Sequence, residues 1–203
     1  MERPRLVLAS GNAGKLVELR AMLDGLGFAI VPQRELGVDD VPETGTTFVE
    51  NALIKARHAA QVTGLPALAD DSGLIVDALG GAPGLYSARY AGSPTDDAAN
   101  NAKLLQALGD LPEAQRTARF YAVIVLLRHA DDPQPLIAEG VWEGRILDAP
   151  RGHHGFGYNP IFLDPAHSLT AAEMAPEQKN RVSHRAQALL ALRERLAQAL
   201  PTH

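Results

Sequence analysis

The chain has 203 residues, with 19 lysines and arginines against 24 aspartates and glutamates and a formal net charge of -5. Hydrophobic residues make up 46% and charged residues 21%, an ordinary globular composition that excludes a disordered or fibrous chain. The acidic balance disfavours binding to long nucleic acids, and the absence of cysteine excludes disulfides, thiolate zinc sites and cysteine nucleophiles.

The first predicted elements alternate between strand and helix. Arg5 to Ser10 is typical of a short buried strand. Leucines that recur every three or four residues from Ala13 predict a helix, which Gly25 and Gly27 then end. A second strand is predicted from Phe28 to Val31. This order is typical of an α/β fold.

The later elements follow from capping residues, turn residues and apolar spacing. They are a helix from Thr46 or Thr47 to about Thr63, strands over 66–69 and 74–76 around a polar turn Asp70–Gly73, and a helix over 95–108. A hairpin of strands over 120–127 and 135–146 comes next, and then a final helix with Leu189, Leu192, Leu196 and Leu200.

The start of the chain lacks the apolar segment of a signal peptide, and the longest apolar run, Phe120 to Leu127, is too short to cross a bilayer. We therefore expect a cytoplasmic protein that binds neither membranes nor nucleic acid polymers. We also expect a single domain over residues 1–203.

The segment Ser10-Gly11-Asn12-Ala13-Gly14-Lys15 stands between the first strand and the first helix. Glycines let the backbone approach a ligand, and the N–H groups of a helix start together with the Lys15 charge suit a phosphate. The segment is not the P-loop motif, because its glycines are too close together and no Ser or Thr follows the lysine. An ordinary strand-to-helix turn with a surface lysine explains these residues equally well.

Acidic residues supply the second candidate site. Asp70 and Asp71 are adjacent, and adjacent side chains on extended backbone point in opposite directions, so we do not expect the two to share one metal. One of them can bind a metal or activate water, and Glu43 offers a further carboxylate. Mg²⁺ is held by one or two carboxylates plus substrate phosphates. A site with so few acidic residues therefore suits a nucleotide enzyme. The alternatives are an Asx turn and a solvent-facing glutamate.

Two segments near the C-terminus also carry chemical groups. Phe156 lies between two glycines in a loop that can place its ring against a flat ligand or plug the core beneath it. The pair His153-His154 lacks a third ligand at a spacing typical of zinc. Lys179 and Ser183-His184-Arg185 put cations at the start of the last helix, where the helix dipole opposes them. Recognition of an anion or a carbonyl explains these cations, and so does a solvated face.

Taken in order, these segments resemble the inosine triphosphate pyrophosphatase family, whose members hydrolyse deaminated purine nucleoside triphosphates. The similarity covers almost the whole chain and its ordered motifs are highly specific. The matching segments are Ser10–Lys15, Glu43–Gly45, Phe48–Lys55, Ala69–Gly73, Gly80–Gly84, Tyr86–Arg89, Phe156–Tyr158 and Ser183–Arg185.

The resemblance implies an α/β fold with an elongated mixed β-sheet, flanking helices and two lobes around a central nucleotide cleft. It also implies a homodimer that depends on Mg²⁺. The implied reaction converts XTP, ITP or dITP to the nucleoside monophosphate and pyrophosphate, which cleanses the nucleotide pool before incorporation into DNA or RNA.

The same resemblance assigns residues to the site. Asp71 is implied as the general base, with Glu43 and Asp71 as metal ligands. The implied substrate-binding residues are Ser10, Gly11, Asn12, Ala13, Gly14, Lys15, Lys55, Ser72, Phe156, Gly157, Tyr158, Asn159, Lys179, His184 and Arg185. Donors from His184, Arg185 or the adjacent backbone are candidates to recognise a 6-keto oxygen.

One position departs from the family pattern, because Asn159 stands where the family usually has aspartate. The flanking Gly157, Tyr158 and Pro160 favour a geometric role for residue 159 in shaping the loop.

Two other functions are alternatives to this one. The septum-inhibitor-like pyrophosphatases act on modified pyrimidine triphosphates, but the Phe156–Tyr158 and Ser183–Arg185 segments argue against them. A nucleotide-sensing module without turnover is disfavoured by the retained acids and lysines.

Overall fold

The computed structural model describes residues 3–24 and 27–199. The predicted helix stop at Gly25 and the leucine of the last helix at Leu200 lie outside these residues. Within them the strands are β1 Arg5–Leu8, β2 Ala29–Pro32, β3 Ala67–Val76, β4 Thr117–Leu127, β5 Leu136–Ile146, β6 Phe162–Asp164 and β7 Leu169–Thr170. The α-helices there are α1 Ala13–Leu23, α2 Phe48–Thr63, α3 Asp97–Leu108, α4 Pro176–Val182 and α5 His184–Ala199.

The described strands form one mixed sheet in the order β2-β1-β3-β4-β5-β6-β7. Strands β2 and β3 run parallel to β1, whereas β6 is antiparallel to both β5 and β7. The predicted α/β class with a mixed sheet and flanking helices is therefore confirmed. The predicted neighbours β4 and β5 are adjacent, as a hairpin requires.

The helix ends follow from local chemistry. Asn12 caps α1 by accepting a hydrogen bond from the Lys15 N–H at 3.0 Å. Thr47 and Glu50 form a reciprocal capping box at the start of α2, and Gly64 ends this helix in the left-handed conformation at φ 67°. The predicted bounds of α2 are confirmed, because each end of the helix is specified by contacts between residues no more than four positions apart.

The predicted polar turn from Asp70 to Gly73 is wrong, because the chain runs through it as the continuous strand β3. Asp70 and Asp71 are both buried in this strand. Buried carboxylates are tolerated only where cations or donors meet them, and each of these two has such partners. The two carboxylates are therefore stabilised inside the protein without a turn or contact with solvent.

The C-terminal segment also differs from expectation. Lys179 lies in the short helix α4, Ser183 ends that helix, and α5 begins at His184. Lys179 is therefore not at the start of the last helix. The short strands β6 and β7 were not predicted, since two or three residues are too few for a periodic pattern.

The described residues divide into two compact units, each with its own apolar core. Unit 1 comprises Met1–Asp71, Ala122–Gly140 and Arg185–His203, and unit 2 comprises Ser72–Tyr121 and Val141–His184. Aliphatic side chains such as Leu8, Leu19 and Ile124 dominate the core of unit 1. The core of unit 2 contains a group of aromatic side chains, namely Phe120, Trp142, Tyr158 and Phe162.

Among the described helices, none combines the length and apolar character that a membrane span requires.

Candidate functional site

Asp70 is the centre of a buried ion-pair group in unit 1, here called the Asp70 cluster (Lys15, Glu18, Asp70 and Arg185). Lys15 Nζ lies 2.8 Å from Asp70 Oδ1, and two guanidinium nitrogens of Arg185 lie 3.4 Å from the carboxylate. Arg185 also donates to Glu18. Burial by itself would raise the pKa of Asp70, but Arg185 and Lys15 hold the pKa well below its usual value. Asp70 is therefore ionised.

The second group in unit 1 is the Lys55 cluster (Glu43, Lys55 and Asp71). Lys55 Nζ lies 2.8 Å from Asp71 Oδ1, 2.9 Å from Glu43 Oε1 and 2.9 Å from the Asp70 carbonyl oxygen. Helix α2 supplies the lysine and strand β3 supplies the aspartate. The structure thus brings together the two acids and the lysine that the sequence predicted for the metal and phosphate site.

Burial and neighbouring charges act in opposite directions on the pKa values of Asp71 and Lys55, and a different effect prevails in each. Burial raises the pKa of Asp71 and outweighs the attraction of Lys55 and Lys15. Burial also acts to lower the pKa of Lys55, but Asp71 and Glu43 together raise it. Lys55 divides its charge between two carboxylates, so Asp71 receives less stabilisation than an exclusive ion pair would provide. Asp71 is consequently a stronger base than an ordinary aspartate.

The formal charges of the two clusters do not favour a polyanion by themselves. Three cations, Lys15, Lys55 and Arg185, face four carboxylates, and each lysine is already paired with at least one of them. Burial also lowers the pKa of Lys15, an effect that Asp70 only partly offsets. The cations of the two clusters are therefore already neutralised by the carboxylates around them.

Two of these carboxylates, Glu43 and Asp71, are the residues of the site that are suited to hold a divalent cation. Within residues 3–24 and 27–199 no three histidine or carboxylate side chains gather around one point. Glu43 and Asp71 nevertheless converge on one position, which the Lys55 ammonium takes. Because Mg²⁺ is commonly held by one or two protein carboxylates with substrate phosphates and water completing its shell, a pair of carboxylates is a sufficient protein contribution.

The predicted phosphate loop joins β1 to α1. Ser10, Gly11 and Asn12 precede the helix, and Ala13, Gly14 and Lys15 open it. A Cβ at Gly11 would lie 2.4 Å from Asp40 Oδ2, so a larger residue at this position would displace the exposed Asp40 carboxylate. Sequence reasoning attributed this glycine to a ligand and did not identify Asp40.

The aromatic loop of unit 2 is anchored by Tyr158. This side chain is buried in the core, its hydroxyl donates to the Ser87 carbonyl at 2.8 Å, and burial raises its pKa. Phe156 is half-buried, and Lys179 Nζ lies 5.3 Å from the centre of its ring. The loop therefore brings the predicted residues Phe156, Gly157, Asn159 and Lys179 together. Ser72 is half-buried in β3 directly after Asp71.

His184 belongs to the aromatic group of unit 2. Its ring stacks on Phe120 with centroids 4.9 Å apart and an interplanar angle of 14°, and Trp142 lies 6.5 Å away at 16°. Phe120 and Trp142 were not predicted as neighbours of the site, because an aromatic residue in an apolar strand is indistinguishable in sequence from ordinary core.

Arg185 corrects an expectation about the last helix. From the sequence, a cation at the start of that helix is explained by recognition of an anion or a carbonyl, or by a solvated face. In the structure the guanidinium is buried, and although burial acts to lower its pKa, the ion pairs with Asp70 and Glu18 outweigh burial and raise it. The Arg185 guanidinium nitrogens therefore bind the carboxylates of the Asp70 cluster. Asp70 and Glu18 were not predicted as partners of Arg185. The alternation of side chains along a strand did predict that Asp70 and Asp71 point in opposite directions.

Comparison with known proteins gives consistent similarity over nearly the full chain. A model of the Ham1 family matches residues 6–195. A dITP/XTP pyrophosphatase of Xanthomonas campestris pv. campestris (strain 8004) is 77% identical over 94% of this chain and 96% of that protein. A dITP/XTP pyrophosphatase of Xylella fastidiosa (strain 9a5c) is 72% identical over 94% and 96%. Among solved structures, a HAM1 protein from Coxiella burnetii is 53% identical with a TM-score of 0.88, covering 96% of this chain and 99% of that chain.

Proposed function

The chain belongs to the Ham1 family, and we propose that it hydrolyses deaminated purine nucleoside triphosphates, XTP, ITP and dITP, to the monophosphate and pyrophosphate. It is thus a nucleoside triphosphate pyrophosphatase, a hydrolase of nucleotide metabolism. The structural observation that carries the proposal is the Lys55 cluster, in which a buried aspartate of raised pKa is oriented by a lysine.

Hydrolysis between the α and β phosphorus atoms needs an aligned water, neutralised oxygens and a stabilised leaving group. We assign Asp71 the role of orienting the water and accepting its proton, since burial raises its pKa and so makes it a better base. Lys55 fixes one oxygen of Asp71 and so orients the carboxylate. Lys15, at the start of α1, binds phosphate oxygens together with the loop from Ser10 to Gly14.

Mg²⁺ is the proposed cofactor, with Glu43 and Asp71 as the residues that hold it. When bound, the ion neutralises phosphate oxygens and so reduces the negative charge that the water must approach. The excess of carboxylates over cations in the two clusters supports this assignment. Family membership supports two further parts of the proposal, a homodimer and a cytoplasmic location close to the nucleotide pool.

Recognition of the base is assigned to the aromatic loop and to His184. Phe156 offers an aromatic face, and His184 or its backbone offers a donor for the 6-keto oxygen of hypoxanthine and xanthine. Adenine carries an amino donor at that position and would leave a buried donor unpaired, which costs several orders of magnitude in specificity. The Arg185 guanidinium is less suited to this role, since Asp70 and Glu18 already bind it.

A pyrophosphate-release assay with ITP, dITP, XTP, GTP and ATP tests this function, in the presence of Mg²⁺ and of EDTA. We expect turnover of the first three nucleotides, little turnover of GTP and ATP, and loss of activity with EDTA. Binding of ITP without pyrophosphate release would indicate a sensing module instead. Equal turnover of all five would refute the base specificity, and the Asp71→Asn protein controls for contaminating phosphatases.

A further inference from the structure

The aromatic loop, residues 155–159, has little conformational preference of its own around Phe156. This residue lies between Gly155 and Gly157, whose φ angles are +80° and +63°. Glycine has no side chain to restrict backbone rotation, so ordering such a segment costs more entropy than ordering other residues. The Phe156 ring can therefore present a fixed face to a base only if contacts from outside the loop hold the backbone beside it.

Helix α3 makes such contacts with Gly157. Asp97 Oδ2 accepts a hydrogen bond from the Gly157 N–H at 2.7 Å, and Asn101 Nδ2 donates to the Gly157 carbonyl at 2.9 Å. Asp97 and Asn101 are four positions apart and so share one face of the helix. The N–H and the carbonyl belong to the two peptide planes that meet at the Gly157 Cα. Together the two side chains therefore fix both planes, and with them φ and ψ of Gly157.

The Asn101 amide is oriented toward carbonyl groups at the expense of its own oxygen. The residue is 8% exposed, and its Nδ2 also donates to the Asp97 carbonyl at 2.6 Å. Its Oδ1 makes no hydrogen bond within residues 3–24 and 27–199. An unpaired buried acceptor lowers stability. The contact with Gly157 is thus maintained at a cost to the fold, a pattern that is common where function determines a residue.

Other contacts hold the chain on either side of Phe156 and Gly157. The backbone N–H groups of His153 and His154 both donate to the Ala172 carbonyl, at 3.0 and 2.9 Å. Beyond Gly157, the Tyr158 hydroxyl donates to the Ser87 carbonyl at 2.8 Å. These contacts fix the two ends, and the pair from α3 fixes the segment between them.

Resting on the proposed function, we propose that Asp97 and Asn101 are positioning residues for base recognition. They hold Gly157 so that the neighbouring Phe156 ring is already placed for the purine before the nucleotide binds. Preorganisation of this kind raises affinity because the ordering entropy of the loop is lost during folding and not during binding.

A stabilising role in the helix is the alternative explanation for Asp97. It is an acidic residue in the first turn of α3, where a negative charge interacts favourably with the helix dipole. The two roles depend on different properties of the side chain. The dipole requires the charge, whereas the Gly157 N–H requires an acceptor oxygen, which asparagine also provides.

Calorimetry with Mg²⁺ present tests the proposal through the dissociation constants of IMP and of inorganic pyrophosphate, which carries no base. We expect Asp97→Ala to weaken IMP binding about three- to tenfold, the effect of one hydrogen bond, and to leave pyrophosphate binding unchanged. Asn101→Ala should act in the same direction. Asp97→Asn should keep the IMP affinity within about twofold, since its amide oxygen still accepts from Gly157. Equal losses of IMP affinity in Asp97→Ala and Asp97→Asn would overturn the positioning role.

Asp96→Ala is the matched control for helix stability. Asp96 is exposed like Asp97, and it caps the same helix by accepting from the Ala99 N–H at 3.0 Å. Loss of this cap should lower Tm and leave the IMP affinity unchanged. A loss of IMP affinity as large as that in Asp97→Ala would mean that helix stability, and not the loop contact, determines binding.

The same measurement in the Phe156→Ala protein shows whether Asp97 acts through the aromatic ring. Residues that act through one another give non-additive effects, so Asp97→Ala should then change the IMP affinity by less than about twofold. An undiminished effect in that background would overturn the proposal. Absence of IMP binding by the unmodified protein would overturn the proposed function and this role with it, whereas IMP binding that Asp97→Ala leaves unchanged would overturn the positioning role alone.

Discussion

Replacing Asp70 by asparagine removes the shared counter-charge of Lys15 and Arg185 with almost no change in shape. Removing one partner of a buried ion pair costs roughly 3–5 kcal/mol of unfolding free energy. Arg185 retains Glu18, and the Lys15 side chain is 14% exposed and can gain some hydration. We therefore expect the lower end of that range, about 3 kcal/mol, equivalent to a fall in Tm of roughly 6–12 °C for a protein of this size.

Urea unfolding followed by far-ultraviolet circular dichroism measures this loss, and Asp132→Asn is the matched control. Asp132 is also buried in unit 1, but its partner Arg128 has a side chain that is 59% exposed. Water can solvate Arg128 when its carboxylate is lost, so we expect less than half the destabilisation of Asp70→Asn. Equal losses in the two variants would refute the argument that stranded buried cations determine the cost.

The pH dependence provides a second check on the same prediction. Because Arg185 and Lys15 depress the pKa of Asp70 in the folded protein, its stabilisation is present in full above the pKa of an unfolded aspartate, about 4. It is lost as the pH falls below that value. The difference in stability between the unmodified protein and Asp70→Asn should therefore shrink below about pH 4, and a difference that stays constant down to pH 3 would contradict the charge argument.

Three further predictions concern the chemistry. Asp71→Asn should lower kcat by roughly 10²–10⁴-fold with an unchanged dichroism spectrum, and near-native turnover would remove Asp71 from the reaction. Lys15→Ala should mainly raise the dissociation constant for ITP, because a charge is lost while the backbone of the loop remains; an unchanged constant would contradict the phosphate assignment. Lys55→Met should move the acid limb of the kcat/KM profile to higher pH, since Lys55 lowers the pKa of Asp71, and an unmoved limb would mean that another group titrates.

Local signals predicted much of the fold correctly. Helix α2 is the clearest case, because Thr47, Glu50 and Gly64 specify its two ends through contacts within four residues. The α/β class followed from the alternation of short apolar runs with helical periodicity, and the resemblance to a known family added the mixed sheet. The resemblance also predicted one site that contains Lys55, Glu43 and Asp71.

Other features depended on contacts between residues far apart in sequence. Asp70 to Gly73 reads as a turn because two acids, a serine and a glycine favour one locally, yet Lys15 and Arg185 lie 55 and 115 positions away and make a buried strand tolerable.

The amino-acid sequence by itself determined which elements form and which charged groups are available to the site, since capping, periodicity and composition act over a few residues. Only the tertiary structure decided which carboxylate is the strong base and which is a permanent counter-ion. Asp70 and Asp71 are adjacent and chemically identical, but Asp70 faces two cations at full burial, whereas Asp71 shares one lysine with Glu43. Their pKa values move in opposite directions because burial and the number of nearby charges are properties of the folded chain.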